Sequence, residues 1–303
     1  MKHLSFGPLI RNALALLISG SGSGAIGIVF WAVAAHETTA VVVGRTSAEV
    51  ATITLLATFA QASFGSTFVR FLPIAGNRTK AFILRAYLLC TSIAFVVSVL
   101  YVTLGLGHRF IPAPWPWKVL FIGSVVAWTV FALQDAALTG LQATHWVPVE
   151  NISYGVAKLV LIPVFLVFSA TQGVFLAWMA PVVVVIALVN WYLFRRRIPQ
   201  HMVRVRSPES LPTIKQLFSM TGAQYVQLLV SVSSASIVTL IVIDRLGAVA
   251  NAHYYLAAQI ALGASVAVWS IDRSFLVEAS AEPAELYRHA RVALRAALIF
   301  IIP

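Results

Sequence analysis

The stretch RRRIPQHMVRVRSPESLPTIK, Arg195 to Lys215, is the longest strongly polar run in the chain, and the regions on either side of it both read as membrane. It carries six of the 21 Lys and Arg residues. Its prolines, Pro199, Pro208 and Pro212, lack the amide hydrogen that a helix interior uses, so the preceding helix is expected to stop within it. Read as a cytoplasmic linker over 195–219, it separates an N-terminal six-helix bundle, 1–194, from an incomplete C-terminal bundle, 220–303.

Composition supports the membrane reading on both sides. With 60% hydrophobic and only 10% charged residues, and a mean hydropathy of +0.89, the chain has too little polar surface to cover a soluble globule. The net charge of +11 would suggest nucleic acid in a soluble protein. Here the cations cluster between apolar segments, as charge bias across a bilayer requires, and a nucleic-acid partner is not expected. Cys90 is alone, so no intrachain disulfide and no cysteine metal pair can form.

A spanning helix needs about 20 apolar residues. On that basis eight spans are predicted, at 12–35, 49–72, 83–106, 118–139, 152–169, 174–194, 220–243 and 250–271, with a partial ninth at 292–303. The fold class is therefore an all-α polytopic membrane protein whose second six-helix-type bundle is cut short. An N-terminus in the cytoplasm puts 16 Lys and Arg inside and leaves Arg45, Arg109, Lys118 and Arg245 outside. The remaining basic residue, Lys158, is the one placed well inside a span. Most tryptophans, Trp31, Trp146 and Trp191 among them, stand near predicted span ends, where an indole suits the headgroup layer.

The two halves look duplicated at an offset of about 208 to 210 residues. Ser21 and Ser23 of the first span correspond to Ser231 and Ser233 of the seventh, and ILRAYLL at Ile83 to ALRAALI at Ala293. The run SGSGSGAIG, Ser19 to Gly27, places Gly20 and Gly24 where two helices could approach closely, while its serines could wet one face and line a cavity. No lysine stands where a phosphate-binding loop would need one.

The candidate binding residues centre on QDAALTGLQATHWVPVEN, Gln134 to Asn151. Asp135 lies near the end of the fourth span, while Glu150 and Asn151 open the fifth, where a carboxylate such as Glu150 is expected to cap the helix. About two turns later comes Lys158. A lysine at membrane depth needs water, a cavity or a partner, and Asp135 or Glu150 across the hairpin could supply the partner. Arg70 and Arg85 flank the loop between spans two and three, where cations can meet a phosphate headgroup. The histidines are scattered without ligand spacing, and no nucleophile, base and orienter set exists, so neither a metal, a cofactor nor an enzyme is expected.

The pieces RNALALLISG, VGRTSAEVATITLLATFAQASFGSTFVRFLP, ILRAYLL and QDAALTGLQATHWVPVENISYGVAKLVLIP resemble actinobacterial polysaccharide and lipopolysaccharide biosynthesis flippases of the multidrug/oligosaccharidyl-lipid/polysaccharide exporter superfamily. The resemblance covers essentially the whole chain. It implies two facing six-helix bundles and alternating access. The substrate implied is a lipid-linked oligosaccharide on a polyprenyl pyrophosphate, moved across the bacterial inner membrane beside polysaccharide polymerase or glycosyltransferase machinery. It also implies cationic cavity residues, matched here by Lys158, Arg70 and Arg85. Members have 12 or 14 spans, so this chain reads as C-terminally truncated. The alternatives are a cation-coupled multidrug exporter of the same fold, for which Asp135 is the candidate carboxylate, and a non-transporting truncated scaffold.

Overall fold

The computed structural model describes residues 6–205 and 214–281. The partial ninth span, 292–303, and the basic residues Lys2, Arg206, Arg288, Arg291 and Arg295 lie outside them.

The described residues form helices joined by turns, with no strand. Six of the helical segments are long and apolar enough to cross a membrane, against the eight spans and partial ninth read from the sequence. The bundle exposes large apolar side chains along its outer wall, including Leu88, Phe95, Val160, Val184 and Leu188, which is the surface a hydrocarbon solvent allows.

The first helix, α1 (Phe6–Glu37), is continuous through the glycine and serine run. It ends at Thr38, and Thr39 caps α2 (Ala40–Ala60) by accepting from the Val42 amide at 3.4 Å. This start is nine residues earlier than the predicted 49, because Arg45, Thr46 and Ser47 make the first turns look like loop when they are in fact helix. The chain then bends at Ala62 and Ser63, both at positive φ, and continues as the short α3 (Phe64–Phe71). The predicted second span is thus two helices joined by an elbow.

Next come α4 (Thr79–Thr103), α5 (Trp115–Gly140), α6 (Trp146–Phe168) and α7 (Gly173–Tyr192). Pro116 sits in the first turn of α5, where its missing amide hydrogen is no loss. The helix does not stop at the basic stretch as predicted. It passes through a π-helical turn at Leu193–Arg197 into α8 (Ile198–Arg204), whose first turn accepts Pro199 for the same reason. Leu193 and Ile198 are buried, and Arg197 donates to the Leu141 and Gln142 carbonyls at 3.1 and 3.2 Å. The first ten residues of the stretch therefore pack on the bundle. Pro208 and Pro212 lie outside the described residues.

The last helix, α9 (Ile214–Ala281), is two arms that meet at Gly247, whose φ of 86° and ψ of 178° leave the helical region. Only glycine adopts that conformation cheaply. Gly247 falls where the repeat offset of about 208 to 210 carries Thr38, the break between α1 and α2. The first arm lies along α2, and the second starts against α2 and runs on beside α1, where Tyr255 meets Trp31 and Gly263 approaches Ile28. Tyr225 donates to the Phe59 carbonyl at 2.7 Å, and Thr221 donates to Ser63 at 3.0 Å on the elbow. At the other end Asn251 donates to the Gly44 carbonyl and the Ser47 hydroxyl at 2.8 and 3.0 Å. The backbones touch there: a Cβ on Gly44 would run into the Ala248 carbonyl.

Inside, two apolar clusters stack along the helix axes. One gathers Phe30, Ile53, Phe121, Trp178 and their neighbours, and the other gathers Phe68, Leu72, Ile83, Leu138 and Leu193. Trp31 belongs to the first, buried against Phe30 and Tyr255, so it is a core residue and not the interfacial anchor that its position suggested. On α5 the clusters meet between Phe131 and Leu133, and on α6 between Val147 and Tyr154. Asp135 and Asn151 fall close to that junction.

Candidate binding cavity

Helix α6 carries two stripes at the spacing of one helix face. Asn151, Tyr154, Gly155 and Lys158 form the first; Trp146, Val149, Glu150 and Ser153 form the second. With about 100° between successive residues, the two stripes point to roughly opposite sides of the helix. Each lines its own cavity.

The first cavity, of about 300 Å³, lies between α1, α5 and α6. Ser23 closes it from α1, Trp128, Phe131 and Asp135 from α5, and the first stripe from α6. Gly155 makes this three-helix meeting tight, since any side chain there would press on Ile26, and Gly22 sits over Ile152. By contrast, nothing approaches Gly20, so the close contact predicted there is made instead by Gly155. Ser23 does line a cavity, and its buried hydroxyl has no hydrogen-bond partner.

Lys158 is 8% exposed, with its Nζ 5.0 Å from the ring centres of both Phe30 and Tyr154. The ammonium is thus held by two aromatic faces. The ion pairs among the described residues join Arg109 to Asp244 at 3.0 Å and Arg245 to Asp244 at 3.8 Å, so Lys158 takes neither of the carboxylate partners expected for it. Asp135 is occupied otherwise: the Asn151 Nδ2 donates to both of its oxygens at 3.1 Å and to the Val147 carbonyl at 3.1 Å. The α5–α6 turn, with Gln142 at a φ of 56°, folds these two residues against each other.

The walls are aromatic. Trp128 stacks on Trp178 at 4.3 Å and on Phe131 at 5.1 Å, and Tyr154 meets Phe131 at 5.3 Å while donating its hydroxyl to the Trp178 carbonyl at 3.2 Å. These rings fix Tyr154, and Tyr154 fixes the ammonium.

Of the six residues predicted to bind, the structure thus brings together Lys158, Asp135 and Asn151. Glu150 is not among them and does not cap α6. It lies more than a turn inside the helix on the second stripe, 4% exposed, with both carboxylate oxygens unpartnered. Arg70 is exposed on α3, its guanidinium 5.6 Å from the Phe71 ring, and Arg85 is exposed on α4. Neither lines this cavity.

Several residues were not singled out from the sequence. Phe30 reaches the ammonium from a distant helix, and no local pattern marks it. Tyr154 could have been found, because it precedes Lys158 by four residues and must share its face. Outside the cavity, Glu49 was hidden by the late start assigned to the second span; it is 2% exposed well inside α2, with Oε2 unpartnered. No family model, curated protein or solved structure matches the chain.

Proposed function

We propose that the chain is a flippase that moves an anionic lipid-linked saccharide, on a polyprenyl pyrophosphate, across a bacterial inner membrane by alternating access, for surface polysaccharide synthesis. The observation that carries this reading is Lys158: a cation within a membrane-length helix, lining a cavity, held by rings and not by a carboxylate. Holding an ammonium at such depth costs roughly 2.5 to 3.5 kcal/mol on insertion scales, a cost that favours retention only where the charge is used. A pyrophosphate would replace weak ring contacts with charge-assisted hydrogen bonds. The indole and phenol faces of Trp128 and Tyr154 suit the apolar faces of a sugar. In this reading the N-terminus and the basic stretch face the cytoplasm, and Arg70 and Arg85 meet the headgroup at the membrane surface.

The test is transfer of a fluorescent polyprenyl-pyrophosphate saccharide by the intact chain in vesicles. Lys158→Ala should reduce transfer to the protein-free background while leaving the amount inserted unchanged. Lys158→Arg should retain part of the activity, because the charge survives while the donor geometry changes. Undiminished transfer by Lys158→Ala overturns the reading.

A second reading, a cation-coupled exporter, is favoured by Glu49. A carboxylate buried within a span, with one oxygen unpartnered, can exchange a proton or sodium ion as the helices move. Under it, Glu49→Gln should uncouple efflux from an imposed ion gradient, and unchanged coupling removes it.

A further inference from the structure

The second stripe of α6 lines a separate cavity of about 280 Å³, walled by α5, α6 and α7. Its sides are Leu138, Val185, Val189 and the rings of Trp146, Trp191 and Tyr192, with Trp146 and Tyr192 packed at 4.7 Å. Glu150 contributes the carboxyl group, and neither of its oxygens has a hydrogen-bond partner. An unpaired buried carboxylate is costly, so the site calls for a cation that donates hydrogen bonds.

The mouth of the cavity shows which kind of molecule carries that cation. Leu188 and Trp191, at 63% and 59% exposure, form its rim on the outer wall of the bundle, continuous with exposed Val184 and Val149. In a membrane that wall faces acyl chains. One turn beyond Trp191 and Tyr192, the π-helical turn carries Arg195 and Arg196, both exposed. A carboxylate below, cations one turn above and an apolar rim between them match a molecule with a primary ammonium, a phosphate and acyl chains.

We propose that this cavity binds the headgroup of an ethanolamine phospholipid, its ammonium donating to Glu150, its phosphate meeting Arg195 and Arg196, and its chains running down the α6–α7 groove. A choline headgroup fits less well, because a quaternary ammonium has no N–H to give the carboxylate. The aromatic rim favours either cation, so the carboxylate makes the distinction. This site does not depend on the transport reading, since it uses the opposite side of α6.

The test is lipid retention by the purified intact chain, read by native mass spectrometry after detergent titration against phosphatidylethanolamine, phosphatidylcholine, phosphatidylglycerol and dodecylamine. Phosphatidylethanolamine should be retained about tenfold over phosphatidylcholine, the scale of a buried charge-assisted hydrogen bond. Glu150→Gln should abolish that preference. Leu188→Trp, which keeps the carboxylate but fills the rim, should abolish retention and so serves if Glu150→Gln fails to fold. Equal retention of the two phospholipids, a preference that survives either variant, or retention of dodecylamine without phosphatidylethanolamine overturns the proposal.

Discussion

The α2–α9 seam and the α1–α5–α6 cavity both place polar groups inside apolar spans, yet they treat them in opposite ways. At the seam, Asn251 uses its amide hydrogens on the Gly44 carbonyl and the Ser47 hydroxyl, and glycine lets the two backbones touch. In the cavity, the Ser23 hydroxyl has no partner and the Lys158 ammonium has only ring faces. Lipid offers no hydrogen bonds, so a polar side chain at depth must bond within the protein, meet water, or wait for a ligand. The amide hydrogens of the seam follow the first course and tie the helices together, although the Asn251 Oδ1 stays without a partner. In the cavity Asp135, Asn151 and Tyr154 also bond within the protein, but the Ser23 hydroxyl and the Lys158 ammonium are left without such bonds.

The largest expected effect breaks the seam. In Gly44→Leu the added side chain meets the Ala248 carbonyl, which is backbone and cannot rotate away. Helix α9 must then lift from α2, losing the Asn251 bonds as well. Overpacking of this kind should cost about 3 kcal/mol or more. Thermal unfolding of the purified chain, followed by tryptophan fluorescence, should show a sharply lowered midpoint or no folded protein. A midpoint within a degree of the parent would mean that the seam is not a tight interface.

Two intermediate effects should have opposite signs. Asn251→Leu removes two hydrogen bonds and should lower stability by about 1 kcal/mol, since such bonds within membrane bundles are individually modest. Lys158→Met removes a buried charge that no carboxylate balances and fills the space with an apolar chain of similar length. It should raise stability by about 1 to 2 kcal/mol while abolishing saccharide transfer. If both substitutions lowered the unfolding midpoint, the contrast between the regions would fail, and Lys158 would be a structural residue.

The same contrast explains what could be read from the sequence. Helical membrane character and the cation within a span follow from composition and run length, which are local properties. The special position of Asp135 and Asn151 was legible because a short hairpin must bring them close. Of the partners considered for Lys158, Asp135 is taken for a geometric reason: Asn151 is nearer to it on the folded hairpin than Lys158, a further two turns away. Glu150 was misread because capping depends on where α6 begins, and that start at Trp146 is set by the turn after Leu141 and not by apolar content. The elbow at Ala62 and Ser63 and the helical passage through Pro199 depend on tertiary packing against Thr221 and Leu141, which no window of sequence contains.

The smallest expected effect concerns Asn151, and it sharpens the idea that the cavity keeps its cation free. Its Nδ2 holds both oxygens of Asp135 while anchored to the Val147 carbonyl, so the carboxylate is turned toward the amide and not toward Lys158. In Asn151→Ala that restraint is gone. The Asp135 carboxylate shares the cavity with the ammonium, and opposite charges in a poorly solvated space attract strongly. Asp135 should then swing toward Lys158 and compete with the anionic headgroup. Competition raises the substrate concentration needed without touching later steps, so KM for saccharide transfer should rise about threefold, roughly 0.7 kcal/mol, with kcat little changed. The double variant Asn151→Ala with Asp135→Asn should restore KM, because the competing charge is removed. A merely structural role for Asn151 predicts instead that kcat and stability fall together and that the second substitution rescues neither.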